Sequence, residues 1–258
     1  MPLIEARAVS HRYGERTVVA GLDVRLGEQR VGVVGANGSG KSTFARMLNG
    51  LVLPTSGRVI VDGLDTRTDG KEVRRRVGFC FTDPDAQIVM PTVGEDVAFG
   101  LRRRGLSKVE AAARVTDALT AYGLAGHADH PAHLLSGGQK QMLALASVLV
   151  TEPALLVMDE PTTLLDLRNA RLVSEVVATL PQQVVLVTHH LELLHGFDRV
   201  LVFDGGRVVA ALPQQVLLVT HHLDLLAGFD RVLVFDEGRL VCDDLPTVAD
   251  RHYRRLMS

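Results

Sequence analysis

Gly35, Gly40, Lys41 and Ser42 stand at the spacing G-x-x-x-x-G-K-S within Gly35-Ala36-Asn37-Gly38-Ser39-Gly40-Lys41-Ser42-Thr43. Bare backbone at Gly38 and Gly40 lets several N–H groups converge on one anion, and a helix starting there would add its positive end. Lys41 supplies a cation for β- and γ-phosphates, and the Ser42 hydroxyl suits Mg²⁺. The chemistry such a set performs is the binding of a nucleotide phosphate. A glycine-rich turn that happens to precede a lysine would share the pattern, so the flanks decide. Before it, Arg30-Val31-Gly32-Val33-Val34 reads as a short buried strand. After it, Phe44 to Asn49 is apolar at helical spacing and Gly50 sits where a C-cap belongs.

Two further constellations carry chemistry. Leu155-Leu156-Val157-Met158 followed by Asp159-Glu160 reads as a core strand ending in two carboxylates. Asp159 would bind Mg²⁺, usually through water, and Glu160 would orient and polarise an attacking water. An acidic turn after a core strand is the bland alternative, and a phosphate loop in the same chain argues against it. Leu135-Ser136-Gly137-Gly138-Gln139 opens another amphipathic helix, with Met142, Leu145, Ala146 and Leu149 on one face. Two anion-ready helix ends serve one nucleotide poorly from one side. They make sense if the second serves a nucleotide held by another copy.

Composition bounds the rest. A chain of 258 residues holds one large α/β domain and buries a core easily. A net charge of −2 gives no support to nucleic acid as the main partner. Cys80 and Cys242 have neither C-x-x-C nor metal spacing, which points to a reduced cytosolic protein. Met1 to Arg7 lacks the features of a signal peptide, and no apolar run approaches the roughly 20 residues that span a bilayer. Any membrane role must come through a partner chain.

The elements that position these groups follow in order. Leu3 to Val9, Thr17 to Ala20 and Leu22 to Leu26 read as strands, with Ser10 to Gly14 as a loop carrying Tyr13. Tyr13 could stack on adenine or simply pack. Arg58 to Val61 and Val77 to Phe81 are further strands, and Arg74-Arg75-Arg76 reads as a solvated face. The polar loop Thr82 to Gln87 could face the nucleotide. From Val93 to about Val150 the pattern is helical, with a Ser107/Glu110 capping box and Gly123 as a stop. This helical block suggests a subdomain, at about 85–150.

One feature departs from a simple plan. Leu180-Pro181-Gln182-Gln183-Val184-Val185-Leu186-Val187-Thr188-His189-His190 returns as Leu212-Pro213-Gln214-Gln215-Val216-Leu217-Leu218-Val219-Thr220-His221-His222, and Gly196 to Asp204 returns as Gly228 to Asp236. The period is about 32 residues, and two copies are too few for a solenoid. The reading is a tandem duplication of segments 180–210 and 212–242 within a complete domain. Only one copy can place its strand beside the phosphate-loop strand. Short connection to the preceding helix favours the first copy and His189, while the link to a C-terminal helix near Thr247 to Leu256 favours His221.

Assembled, these residues resemble the ATP-binding subunits of ABC transporters over nearly the whole length. Gly35 to Thr43 matches the Walker A motif, Leu155 to Glu160 matches Walker B, and Leu135 to Gln139 matches the signature motif. The resemblance puts Tyr13 at the A-loop, Asp166 at the D-loop, and His189 or His221 at the switch histidine. It implies a single ABC ATPase domain over 1–258. The fold would have a central, mostly parallel sheet, an N-terminal antiparallel β subdomain and an inserted helical subdomain. It also implies ATP and Mg²⁺ as ligands, a head-to-tail dimer with a like or related ATPase subunit, and integral membrane partners. The place would be peripheral, on the cytoplasmic face of the membrane.

The family expects glutamine after Phe81, and here Thr82 stands there. The segment Asp83-Pro84-Asp85-Ala86-Gln87 instead resembles the N-P-D-D-Q segment of energy-coupling-factor (ECF) ATPases, which drive vitamin and metal-ion importers. The biotin type looks closest. By that resemblance Gln87 could take part of the missing glutamine's role toward Mg²⁺. A soluble ATPase of DNA repair or translation is the competing class, but the coiled coils or second cassette of such proteins are missing. A third reading is an ATPase impaired by the duplication.

Overall fold

The computed structural model describes residues 1–102, 104–213, 232–236, 239–249 and 251. Contacts divide the chain into two compact units, Met1–Gln215 and Val216–Ser258. In the first, β1 (Ile4–Tyr13) and β2 (Arg16–Leu26) form a hairpin that leads into β3 (Arg30–Gly35) and α1 (Lys41–Leu48). Next come β4 (Ser56–Val61), β5 (Leu64–Asp65), α2 (Gly70–Arg76) and β6 (Val77–Cys80). The helical stretch holds α3 (Val93–Leu101), α4 (Lys108–Ala121) and α5 (Gly137–Leu149). Then follow β7 (Leu155–Asp159), α6 (Leu167–Thr179), β8 (Gln183–Val187), β9 (Arg199–Asp204) and β10 (Arg207–Pro213).

The first unit contains two sheets. One is antiparallel in the order β2-β1-β4-β5; the other has six strands in the order β10-β9-β3-β8-β7-β6, parallel except for the edge strand β10. Both faces of this second sheet are covered, so its central strands are apolar without alternation. Leu155 and Val157 of β7 join one core with Phe44, Met47 and Leu48 of α1 and with the antiparallel sheet. Leu156 and Met158 join the other, with α3, α4 and α5. This is the α/β architecture expected, with the helices inserted between β6 and β7.

Differences from expectation lie at the N-terminus. The stretch Ser10 to Tyr13 is strand, not loop, and β2 runs unbroken through Ala20 to Leu22. Register shifts between Ala6 and Arg12, with Ala8 at φ +49°, interrupt the alternation that marks a strand in sequence.

The first copy of the repeat supplies β8, β9 and most of β10, whose last residues, Leu212 and Pro213, open the second copy. β8 pairs parallel with β3, Arg30 opposite Val184 and Val33 opposite Val187. Arg30 anchors this join: its guanidinium donates to the carbonyls of Gln182 and Leu180, and its backbone N–H to Asp198 at 2.8 Å. In the second unit, β11 (Val232–Asp236) and β12 (Arg239–Asp244) pair with each other. Their register repeats that of β9 and β10: Asp204 faces Arg207 as Asp236 faces Arg239, and Val202 faces Ala210 as Val234 faces Cys242. Both hairpins carry an irregularity at the same relative place. Residues 246–249 and 251 are helical; His221 and the rest of the second copy's strand and turn lie outside the described residues.

Candidate nucleotide site

A cleft of about 670 Å³ lies over the β3–α1 turn, lined among others by Tyr13, Arg16, Lys41, Ser42, Thr82, Glu160 and His189. Its floor is built by glycine. Gly40 sits at φ +103°, and a Cβ there would stand 2.6 Å from the Val18 carbonyl. Gly35 is tighter still, since a Cβ would fall 2.1 Å from the Phe203 carbonyl. Only glycine lets the loop pass that close to β2 and β9. No side chain caps α1, so its first N–H groups are left to the cleft. Asn37, Gly38 and Thr43 also line it, while Ser39 is buried beneath.

Lys41 folds back onto the loop, donating to the carbonyls of Gly35 at 2.7 Å and Ala36 at 3.0 Å. Burial pushes its ammonium below the ordinary lysine range, and the carboxylates of Glu160 and Asp159 pull the other way. The Ser42 hydroxyl donates to Asp159 at 2.7 Å, and Arg46 approaches the other carboxylate oxygen at 3.4 Å. Burial raises the Asp159 carboxyl above its usual range, while the Ser42 bond and the Arg46 charge oppose this. Two hard oxygen donors side by side, one a desolvated carboxylate, fit a small divalent cation.

Glu160 is held in an uncommon conformation, at φ +53°. Its N–H donates to Val187 at 2.9 Å, which ties the turn after β7 to the end of β8. The carboxylate accepts from His189 Nδ1 at 2.6 Å and from the Thr163 hydroxyl at 3.2 Å. A carboxylate only accepts, so His189 carries its proton on Nδ1 in this contact. The β3–β8 register thus delivers the first copy's histidine to the cleft.

The other expected residues are placed differently. Gln87 is spent elsewhere: its Oε1 accepts from the Phe81 N–H at 3.2 Å and its Nε2 donates to the Ala144 carbonyl at 2.9 Å. It is not in the cleft, which corrects its assignment toward the metal. Thr82 is there instead, donating to the Asp159 carbonyl at 2.7 Å. Ser136 to Gln139 do not line the cleft of their own chain. Ser136 caps α5 in a reciprocal box with Gln139. A Cβ on Gly138 would stand 2.2 Å from Asn169, whose amide is held by Asp166 at 3.0 Å. Asp166 therefore caps α6 and presses Asn169 against the signature glycine. Arg16, Thr163 and Arg46 went unread in the sequence; the position of Arg16 just after Tyr13 was the one available signal.

The family model described as ABC transporter matches residues 20–163, which span both the phosphate loop and the carboxylate pair. The chain belongs to the ABC transporter ATP-binding family. The biotin transport ATP-binding protein BioM of Rhizobium etli is 50% identical over 80% of this chain and 91% of its own. The energy-coupling factor transporter ATP-binding protein EcfA1 of Symbiobacterium thermophilum is 47% identical over 80% of this chain and 78% of its own. Among solved structures, cbiO1 of Clostridium perfringens, part of the ABC transporter complex cbiONQ, superimposes with a TM-score of 0.72. It is 32% identical over 82% of this chain and 88% of that one. As a member of this family the chain is an ATP-binding ATPase of the ECF type. Among the described residues no helix is long and apolar enough to cross a membrane.

Proposed function

We propose that this ATPase energises uptake of a small molecule, a vitamin such as biotin or a transition-metal ion, through an integral membrane partner. The observation that carries the catalytic half is that Ser42, Glu160 and His189 line one cleft, with buried Asp159 bonded to Ser42 and His189 bonded to Glu160. Lys41 and the N–H groups of α1 bind the β- and γ-phosphates. Ser42 and Asp159 hold Mg²⁺, which neutralises charge on the phosphate oxygens when bound. Glu160 orients the water that attacks the γ-phosphorus and takes its proton as the bond to the ADP oxygen breaks. His189 fixes the carboxylate through Nδ1–H. Tyr13, half-exposed at the cleft rim, stacks on the base.

The signature turn does not line this cleft, which favours a head-to-tail dimer in which Ser136 to Gln139 of one subunit complete the site of the other. Leu164 and Leu167, exposed beside Asp166, suit such an interface. The exposed apolar side chains of Val89 and Phe99 suit a membrane subunit, which would hold the chain at the cytoplasmic face. The test is ATP-driven uptake in vesicles holding this chain together with ECF-type membrane subunits. Lys41→Ala should abolish nucleotide binding, and Glu160→Gln should keep binding but slow turnover by about 10²–10⁴-fold. Normal turnover in Glu160→Gln, or uptake indifferent to both changes, would contradict the assignment.

A further inference from the structure

Gln139 does not point outward as a free ligand group; both ends of its amide are used. Its Oε1 accepts from the Ser136 N–H at 2.9 Å, which fixes the orientation of the amide and turns Nε2 toward His127 Nε2 at 3.2 Å. Since the amide nitrogen donates, His127 Nε2 must accept, and the ring proton sits on Nδ1. Nδ1 is itself buried with no hydrogen-bond partner among the described residues. A buried donor left unpaired carries a cost, so this ring orientation is maintained by what Nε2 does.

The turn that bears His127 is fastened to the start of α3. Gly94 N–H donates to Ala128 at 2.8 Å, Val93 N–H to His130 at 3.1 Å, and Ala132 N–H to Pro91 at 2.9 Å. The His130 ring packs edge-on against His127 at 5.6 Å. A continuous chain therefore runs from α3 through His127 and Gln139 to the backbone and hydroxyl of Ser136. We infer that His127 is a positioning residue of the reaction: it acts through Gln139 to hold Ser136 in the geometry that a nucleotide on a second subunit meets. The functional half rests on the head-to-tail reading above. The geometric half does not.

The experiment compares His127→Ala and His127→Gln in the full-length chain, the glutamine offering an acceptor where Nε2 stood. Amide exchange at Ser136, read by NMR, should quicken about three- to tenfold in His127→Ala, the scale of one net hydrogen bond. ATPase kcat should fall by a similar factor, with KM for ATP within about twofold, because the cleft around Lys41 is untouched. His127→Gln should restore both. Unchanged exchange in His127→Ala overturns the inference, as does loss in both variants with matching drops in melting temperature. Faster exchange with unaltered kcat overturns its functional half. ATPase activity unchanged by Lys41→Ala would instead sink the proposed function, while exchange would still decide whether His127 holds Ser136.

Discussion

Replacing His189 by alanine should cost turnover far more than binding. Among the described residues its Nδ1 is one of two donors to the Glu160 carboxylate, and the closer by far, at 2.6 Å against 3.2 Å for Thr163. Hydrogen bonds to charged groups are worth about 1.5–3 kcal/mol. The His189 side chain is 48% exposed, so solvent weakens the contact and the lower part of that range applies, about 1.5–2 kcal/mol. That is roughly a 10- to 30-fold loss in kcat. The phosphate loop is unaffected, so KM for ATP should move less than about threefold. The same substitution at His221 is the internal control, because the two histidines have the same neighbours in sequence. With β8 beside β3, His221→Ala should leave kcat within about twofold of the parent. Steady-state ATPase of both single variants and the double variant decides the matter. If His221→Ala falls and His189→Ala does not, the second copy works in the cleft. If neither falls, the histidine has no role there.

Gly138→Ala should destabilise the α5–α6 contact by about 1–3 kcal/mol, because its Cβ would collide with Asn169; thermal unfolding and ATPase should both decline. Asp159→Asn should raise the melting temperature without divalent cations at neutral pH. The folded state holds the Asp159 proton more tightly than the unfolded chain does, so ionising it costs stability. The variant's advantage should be full above the raised folded value and vanish below the ordinary 3.8, which a pH series of melting curves would show. Burial pushes the Cys80 thiol up to about 12. Native protein at pH 8 should therefore leave Cys80 unalkylated by mass spectrometry, and labelling at Cys80 before unfolding would contradict its burial.

What the sequence made legible was chemistry tied to short-range pattern. The loop from Gly35 to Thr43, the carboxylates at the end of β7 and the capped start of α5 each depend on residues a few positions apart. Each is where it was expected. Strand bulges were not legible, because Ala8 at φ +49° looks like any alanine in a sequence. Nor was Gln87, whose side chain is claimed by Ala144 on α5. A glutamine beside a nucleotide loop and a glutamine strapped to a helix read alike until the helix has a place. His127 was missed for the same reason.

The repeat shows where local pattern stops being able to choose. The residues that fasten the first copy to β3 include Gln183, which donates to the Glu28 carbonyl at 2.7 Å. They also include Asp198, which accepts from Arg30, and Arg199, which pairs with Glu28 at 2.9 Å. Each has an identical counterpart in the second copy, at Gln215, Asp230 and Arg231. These fastening side chains are therefore the same in either copy, and the two hairpins described have the same register. What differs is connection. Leu180 closes α6 and already lies within reach of the Arg30 guanidinium, so the first copy enters its slot with no chain left over. Seating the second copy would require the first to be looped out and its buried strand, Val184 to Val187, to be exposed. Chain connectivity, rather than residue identity, selects His189.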